Sequence, residues 1–200
     1  KPNGSQAQSA TLIGYRYDFS TQPWNYISLR TEDTIQFLLR NSSQGIFSPQ
    51  STNTVNLNQW NHICVTSTGS SVAIYINNVA ETFTNTTVTS VVSSFPVSIG
   101  SNQAMPEGYD KGFFNGQIDQ VRIFNKALNQ NEVTTLFDES ACTYGGRQSE
   151  GTQILGDSSC IAYYKLDGTT DDETGNYDGT FTNPDYSNGE FLYAGYFNGT

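Results

Sequence analysis

Residues 116–137 read GQIDQVRIFNKALNQNEVTTLF, and this stretch decides the fold. Its first half, Gly116 to Phe124, predicts a strand, with Ile118 and Val121 to Ile123 as apolar positions. Its second half predicts a short helix. Asn129 and Glu132 have the spacing of a capping box, in which each side chain takes a backbone N–H that the first turn leaves open. Val133, Leu136 and Phe137 fall on one helical face, and the helix is expected to end near Asp138 and Glu139. So short a helix needs a sheet to dock on.

Outward from this stretch the pattern is strand and turn. Upstream, Val72 to Ile76 and Val79 to Phe83 predict a hairpin across Asn77-Asn78, because Asn tolerates positive φ. Further strands are expected at Thr11 to Tyr17, Trp24 to Leu29, Thr34 to Leu39, Trp60 to Thr66 and Val97 to Gly100. Residues 41–54 and 101–112 read as loops. Downstream, 141–159 reads as a linker. Strand character resumes at Ile161 to Leu166, passes an acidic glycine-rich turn, and returns in GTFTNPDY (179–186) and EFLYAGYF (190–197). Many short strands with frequent turn signals predict an all-β, two-sheet antiparallel sandwich of the jelly-roll kind with one short helix.

The chain has 200 residues, 13% aromatic and only 14% charged, a composition suited to a β-rich domain. Nine Lys and Arg stand against nineteen Asp and Glu, for a net charge of -10 and no basic run. Nucleic acid and anionic membrane surfaces are therefore disfavoured as partners. No apolar run approaches the ~20 residues that span a bilayer, which argues against membrane insertion. No signal peptide is evident; Lys1-Pro2-Asn3-Gly4 does not read as a natural start, so the chain reads as an internal stretch of something longer.

Three cysteines and one histidine, with no CxxC, do not compose a structural zinc site. Cys64 reads as a buried thiol in an apolar strand. Cys142 and Cys160 flank a Gly/Ser-containing stretch and are candidates for a disulfide in an oxidising setting. Sequons at Asn3, Asn41, Asn85 and Asn198 matter only in a glycosylating host.

The run WNHICVT (60–66), VAIYINNVAE (72–81), VSIG (97–100) and FFNGQIDQVRIFNKALNQNEVTTLF (113–137) resembles, in order and spacing, the laminin-G-like, concanavalin A-like jelly rolls of the lectin-glucanase superfamily. One departure is Asn77-Asn78, where that family often has Asn-Gly. CIAYYKLDGTTDDETGNYDGTFTNPDYSNGEFLYAGYFNGT (160–200) resembles a different section, the opening third of such a module. The resemblance thus implies 1–140 as the later two thirds of one jelly roll, 141–159 as linker, and 160–200 as opening strands that complete this sandwich or a neighbour's. It also implies a tandem array like those of extracellular and phage virion-surface proteins, with glycan, protein surfaces or like modules as partners. A purely structural repeat of a larger assembly is the alternative.

Sugar-binding faces pair aromatic platforms with amides and carboxylates. Read through the resemblance, Tyr15, Tyr17, Trp24, Tyr109 and Tyr144 are candidate platforms, with Asn25 and Asp110 close by in sequence, although each tyrosine taken alone suits edge packing better. Asp167, Asp171, Asp172 and Asp178, with Glu173 among them, are spaced to offer oxygens to calcium, or simply to form a solvated turn. Asp119 suits a structural role, pairing Arg122 or a backbone amide, better than a ligand role. No strand carries the Glu-x-Asp-x-x-Glu of the jelly-roll glucanases, and lone His62 has no triad partners, so an enzyme is not expected.

Overall fold

The structure is a computed structural model and describes residues 1–15, 24–41, 43, 45–84, 96–102, 112–141, 151–181 and 185–200. The chain divides into two compact units, Lys1–Gly116 with Asn198–Thr200, and Gln117–Phe197. Both are built of antiparallel sheets, and the described residues hold one α-helix, the all-β class expected.

The first unit carries β1 (Ala10–Tyr15), β2 (Trp24–Leu29), β3 (Thr34–Arg40), β4 (Ile46–Phe47), β5 (Gln50–Thr54) and β9 (Ser98–Ile99) in one sheet, ordered β4-β3-β2-β1-β9 with β5 also on β3. Strands β6 (Ile63–Ser67), β7 (Ser71–Ile76) and β8 (Val79–Thr84) make a second sheet. Strand β7 buries every residue from Val72 to Ile76, the near-continuous apolar run of a strand covered on both faces. Asn77 and Asn78 have φ of 50° and 67°, so the expected two-residue turn closes the β7–β8 hairpin.

Two expectations here change. The polar stretch 41–54, read as loop, contains β4 and β5. Strand β5 is polar throughout and buries only Ser51, whose hydroxyl accepts Ile35 N–H (2.9 Å), so no apolar alternation marks it, and it is held from the side. The Glu81 carboxylate on β8 accepts Thr52 N–H (2.8 Å), Asn53 N–H (2.8 Å) and the Thr52 hydroxyl (2.8 Å), tying one sheet to the other. Strand β6 begins at Ile63, not Trp60. The Asn61 side chain accepts from Asn56 N–H and donates to Asn56 O and Gln59 O, and this local alternative outcompetes the ladder.

In the second unit, β11 (Val121–Phe124) pairs with β12 (Cys160–Tyr164), and β13 (Tyr186–Asn188) pairs with β14 (Tyr193–Asn198). Strand β10 (Asn115–Ile118) lies on the other side of β14. The expected single strand over 116–124 is broken, because Gln120 turns to a φ of 55° between β10 and β11. Gly116, at φ 154°, opens this motif because a Cβ there would stand 2.4 Å from Lys1 O. Of GTFTNPDY, residues 179–181 are not in a strand, Gly179 being bracketed by Thr170; 182–184 lie outside the described residues, and β13 begins at Tyr186. In EFLYAGYF, Glu190 to Leu192 form the turn and the strand begins at Tyr193.

Helix α1 (Gln130–Ala141) starts as expected and runs slightly longer. Asn129 Oδ1 accepts Glu132 N–H (3.1 Å) while Glu132 Oε2 accepts Asn129 N–H (2.8 Å), a complete capping box. Val133 and Leu136 are buried. Arg122 on β11 grips Glu139 in a two-point ion pair (2.5 and 3.1 Å), and its guanidinium lies 4.1 Å from the centre of the fully buried Tyr163 ring.

Candidate functional site

Three side chains converge on the β13–β14 hairpin from outside it. Gln117 Nε2 donates to Ser187 Oγ (2.7 Å) and Asn188 O (2.8 Å). Asp119 Oδ2 accepts the N–H groups of Glu190 (2.9 Å) and Phe191 (3.3 Å). Asp167 Oδ1 accepts Tyr193 N–H at 2.8 Å. Gln117 and Asp119 stand two apart in an extended stretch and so reach the same side. At the loop's start a Cβ on Gly189 would lie 2.3 Å from Tyr193 O and 2.7 Å from Asp119 Oδ2, so only glycine fits.

The electrostatics are those of a crowded acidic site. Burial pushes the Asp119 carboxyl up to about 6; two backbone N–H bonds pull it back, and the charge of Asp167 adds to the rise. Glu190 is also raised by burial. Beside these carboxylates, Leu192 (66%) and Tyr193 (53%) stand largely exposed.

The acidic turn is organised by Asp172, which is 3% exposed. Its carboxylate accepts five donors: Tyr163 N–H, Thr174 N–H, the Thr174 hydroxyl, Asn176 N–H and Tyr177 N–H. Burial raises its pKa, but these bonds outweigh burial and hold it below the usual carboxylate range. Asp178 Oδ1 accepts Asp172 N–H (3.1 Å), Asp167 serves the hairpin, and Asp171 is exposed. In this arrangement the Asp172 carboxylate is engaged by four backbone N–H groups and the Thr174 hydroxyl. Among the described residues no group of three His, Cys, Asp or Glu side chains is placed to hold a metal ion.

Of the candidate platforms, Trp24 is buried (8%), stacked on Tyr26 at 5.6 Å and capped by Arg40, its cross-strand neighbour. It is a core residue, not an open face. For Tyr15 the structure describes only the backbone, paired with Asn25, and Tyr17, Tyr109, Asp110 and Tyr144 lie outside the described residues. Cys160 is buried in β12 with Sγ 3.5 Å from Ala162 O, and Cys142 lies outside the described residues. Burial pushes the Cys64 thiol up to about 12, as suits an inert side chain. Asp119 meets backbone amides, one of the two structural partners expected for it.

Gln117, Leu192 and Tyr193 were not singled out by sequence reasoning. The available signal was EFLY following Asn188-Gly189, which reads as the start of a strand and instead supplies an apolar turn.

A laminin-G-type family model described as "Concanavalin A-like lectin/glucanases superfamily" matches residues 1–134. Among solved structures, a "putative carbohydrate binding protein" from Bacteroides ovatus ATCC 8483 is 15% identical, covering 99% of this chain and 49% of that one with a TM-score of 0.53. A heptameric SAP-like pentraxin from Limulus polyphemus is 19% identical over 68% of this chain and 65% of that one, TM-score 0.46. The S-layer domain-containing protein from Clostridium thermocellum ATCC 27405 (residues 221-444) is 21% identical over 66% and 64%, TM-score 0.35. The chain spans less than two thirds of the length of each of these proteins. No curated protein matches it.

Proposed function

The chain belongs to the concanavalin A-like lectin/glucanases superfamily, and from that premise we propose that it is a non-catalytic glycan-binding module of an extracellular or virion surface. The match of the lectin-type family model over residues 1–134 carries this reading. The work of the described carboxylates supports the non-catalytic part. Glycoside hydrolysis needs two carboxyl groups facing a sugar bond, about 5–10 Å apart. Here Asp119, Asp167 and Asp172 instead hold backbone N–H groups. The net charge of -10 suits a soluble, displayed module and disfavours nucleic acid. No helix among the described residues is long and apolar enough to cross a membrane.

A glycan array probed with the labelled protein, once with calcium and once with chelator, tests the proposal. Retention on a defined set of glycans is the expected result. Silence across the array in both buffers sinks it.

A second reading, a structural repeat of a larger assembly, draws on one observation. Strand β12 lies beyond the matched region and adds to β11, inside it. The opening strands proposed for 160–200 would in this way extend a module's last strand. Ordered self-association in light scattering, with a silent array, favours this reading over the first.

A further inference from the structure

Hairpin turns are ordinarily made of Gly, Asn, Asp, Ser and Pro. The β13–β14 turn is Gly-Glu-Phe-Leu, followed by Tyr, and the two residues at its far end are among the most exposed large apolar side chains of the described chain. An apolar turn left open to water is a local rule broken. The molecule also invests in holding it. Two carboxylates from different segments, Asp119 and Asp167, take the N–H groups of Glu190, Phe191 and Tyr193. Gln117 fixes Ser187 and Asn188 from the same side, and Gly189 admits no side chain. The Asp119 carboxylate is buried at a cost that nothing in the strand pairing demands. A turn ordered in advance binds without the entropy loss of ordering on contact.

The chemistry at the tip narrows the occupant. An exposed tyrosine ring suits the apolar face of a pyranose, and an adjacent carboxylate accepts from a hydroxyl or an ammonium. Asp119, Asp167 and Glu190 share one sign and repel an anionic ligand. Two exposed side chains are far too small a patch for a standard protein interface of about 800 Å² per partner. We propose that the Gly189–Tyr193 loop is a preformed sugar-binding tip for a neutral or amino sugar, its ring face on Tyr193 and a hydroxyl or ammonium on Asp167. This rests on the glycan-binding reading above and gives that reading a place and a ligand class.

The test is an array with three arms: neutral hexoses and N-acetylhexosamines, deacetylated amino-sugar oligomers, and sialylated or sulfated glycans. Wild type is expected on the first two arms and not on the third. Tyr193→Ala is expected to weaken binding about tenfold, in keeping with loss of a contact-making aromatic, and Tyr193→Phe to retain it. Tyr193 is exposed and joins the loop through its backbone, so the melting temperature of Tyr193→Ala should match wild type. If Tyr193→Ala keeps wild-type folding and wild-type binding, this site falls and the glycan reading stands. If wild type is silent on all arms, both fall. Binding confined to the anionic arm overturns the ligand class and with it the proposal.

Discussion

Asp172 and Asp119 are both aspartates beside strands, yet the fold shifts their acidities in opposite directions. Asp172 is surrounded by donors that stabilise its charge. Its contribution is present above the usual Asp pKa and is lost as pH falls through its lowered value. Asp172→Ala leaves the buried Tyr163 N–H and the part-buried N–H groups of Thr174, Asn176 and Tyr177 without their acceptor and should cost about 3 kcal/mol in denaturant melts. Added calcium should not restore it, and a full rescue by calcium would make Asp172 a metal ligand rather than an acceptor for backbone. Asp119 is pushed up to about 6 chiefly by burial, so the folded state takes up a proton before the unfolded chain does. Its contribution to stability therefore grows as pH falls from about 6 toward the usual Asp range near 3.8. Asp119→Asn, which keeps an acceptor and removes the charge, should flatten stability between those pH values. An unchanged pH profile in the variant would show that Asp119 titrates normally.

At the scale of elements, caps and turns read truly while strand limits did not. The Asn129–Glu132 capping box and the Asn77-Asn78 turn are short-range chemistry, decided by residues within a few positions of each other. Asn129→Ala should cost about 1 kcal/mol, measured by urea unfolding. Asn78→Gly, with φ already at 67°, should be neutral or stabilising by up to about 1 kcal/mol. A clear loss would mean the Asn78 side chain matters beyond its backbone. Strand limits failed where distant groups intervene. Asp119 and Asp167 seize the N–H groups that would have let EFLY continue a ladder, and Glu81 stands in for a neighbouring strand beside β5. No local pattern in 41–54 or 190–193 encodes a carboxylate arriving from elsewhere.

Across the second unit, the helix is joined to the sheet by a nearly buried ion pair. The Arg122 and Glu139 side chains are 7% and 10% exposed. Removing one member strands the other, so Glu139→Gln should cost about 3–5 kcal/mol. Replacing both with apolar residues of similar volume should be close to neutral, and a double-mutant cycle on melting data separates the outcomes. If the double variant is as damaged as the single, the pair contributes more than its own desolvation.

By itself the sequence determined the all-β class, the capped helix and the tight hairpin, because alternation, capping and turn chemistry act over a few residues and survive without knowledge of the whole; the resemblance to the lectin-glucanase jelly rolls came from the order of its motifs. It also marked the acidic turn and the GQID motif. Only tertiary structure decided what those acids do. The division into units at Gly116, the pairing of β12 with β11, the burial of Trp24 and the convergence of Gln117, Asp119 and Asp167 on one loop all join positions tens of residues apart. A carboxylate's role as ligand, cap or clamp depends on which donors reach it, and burial sets how strongly they act.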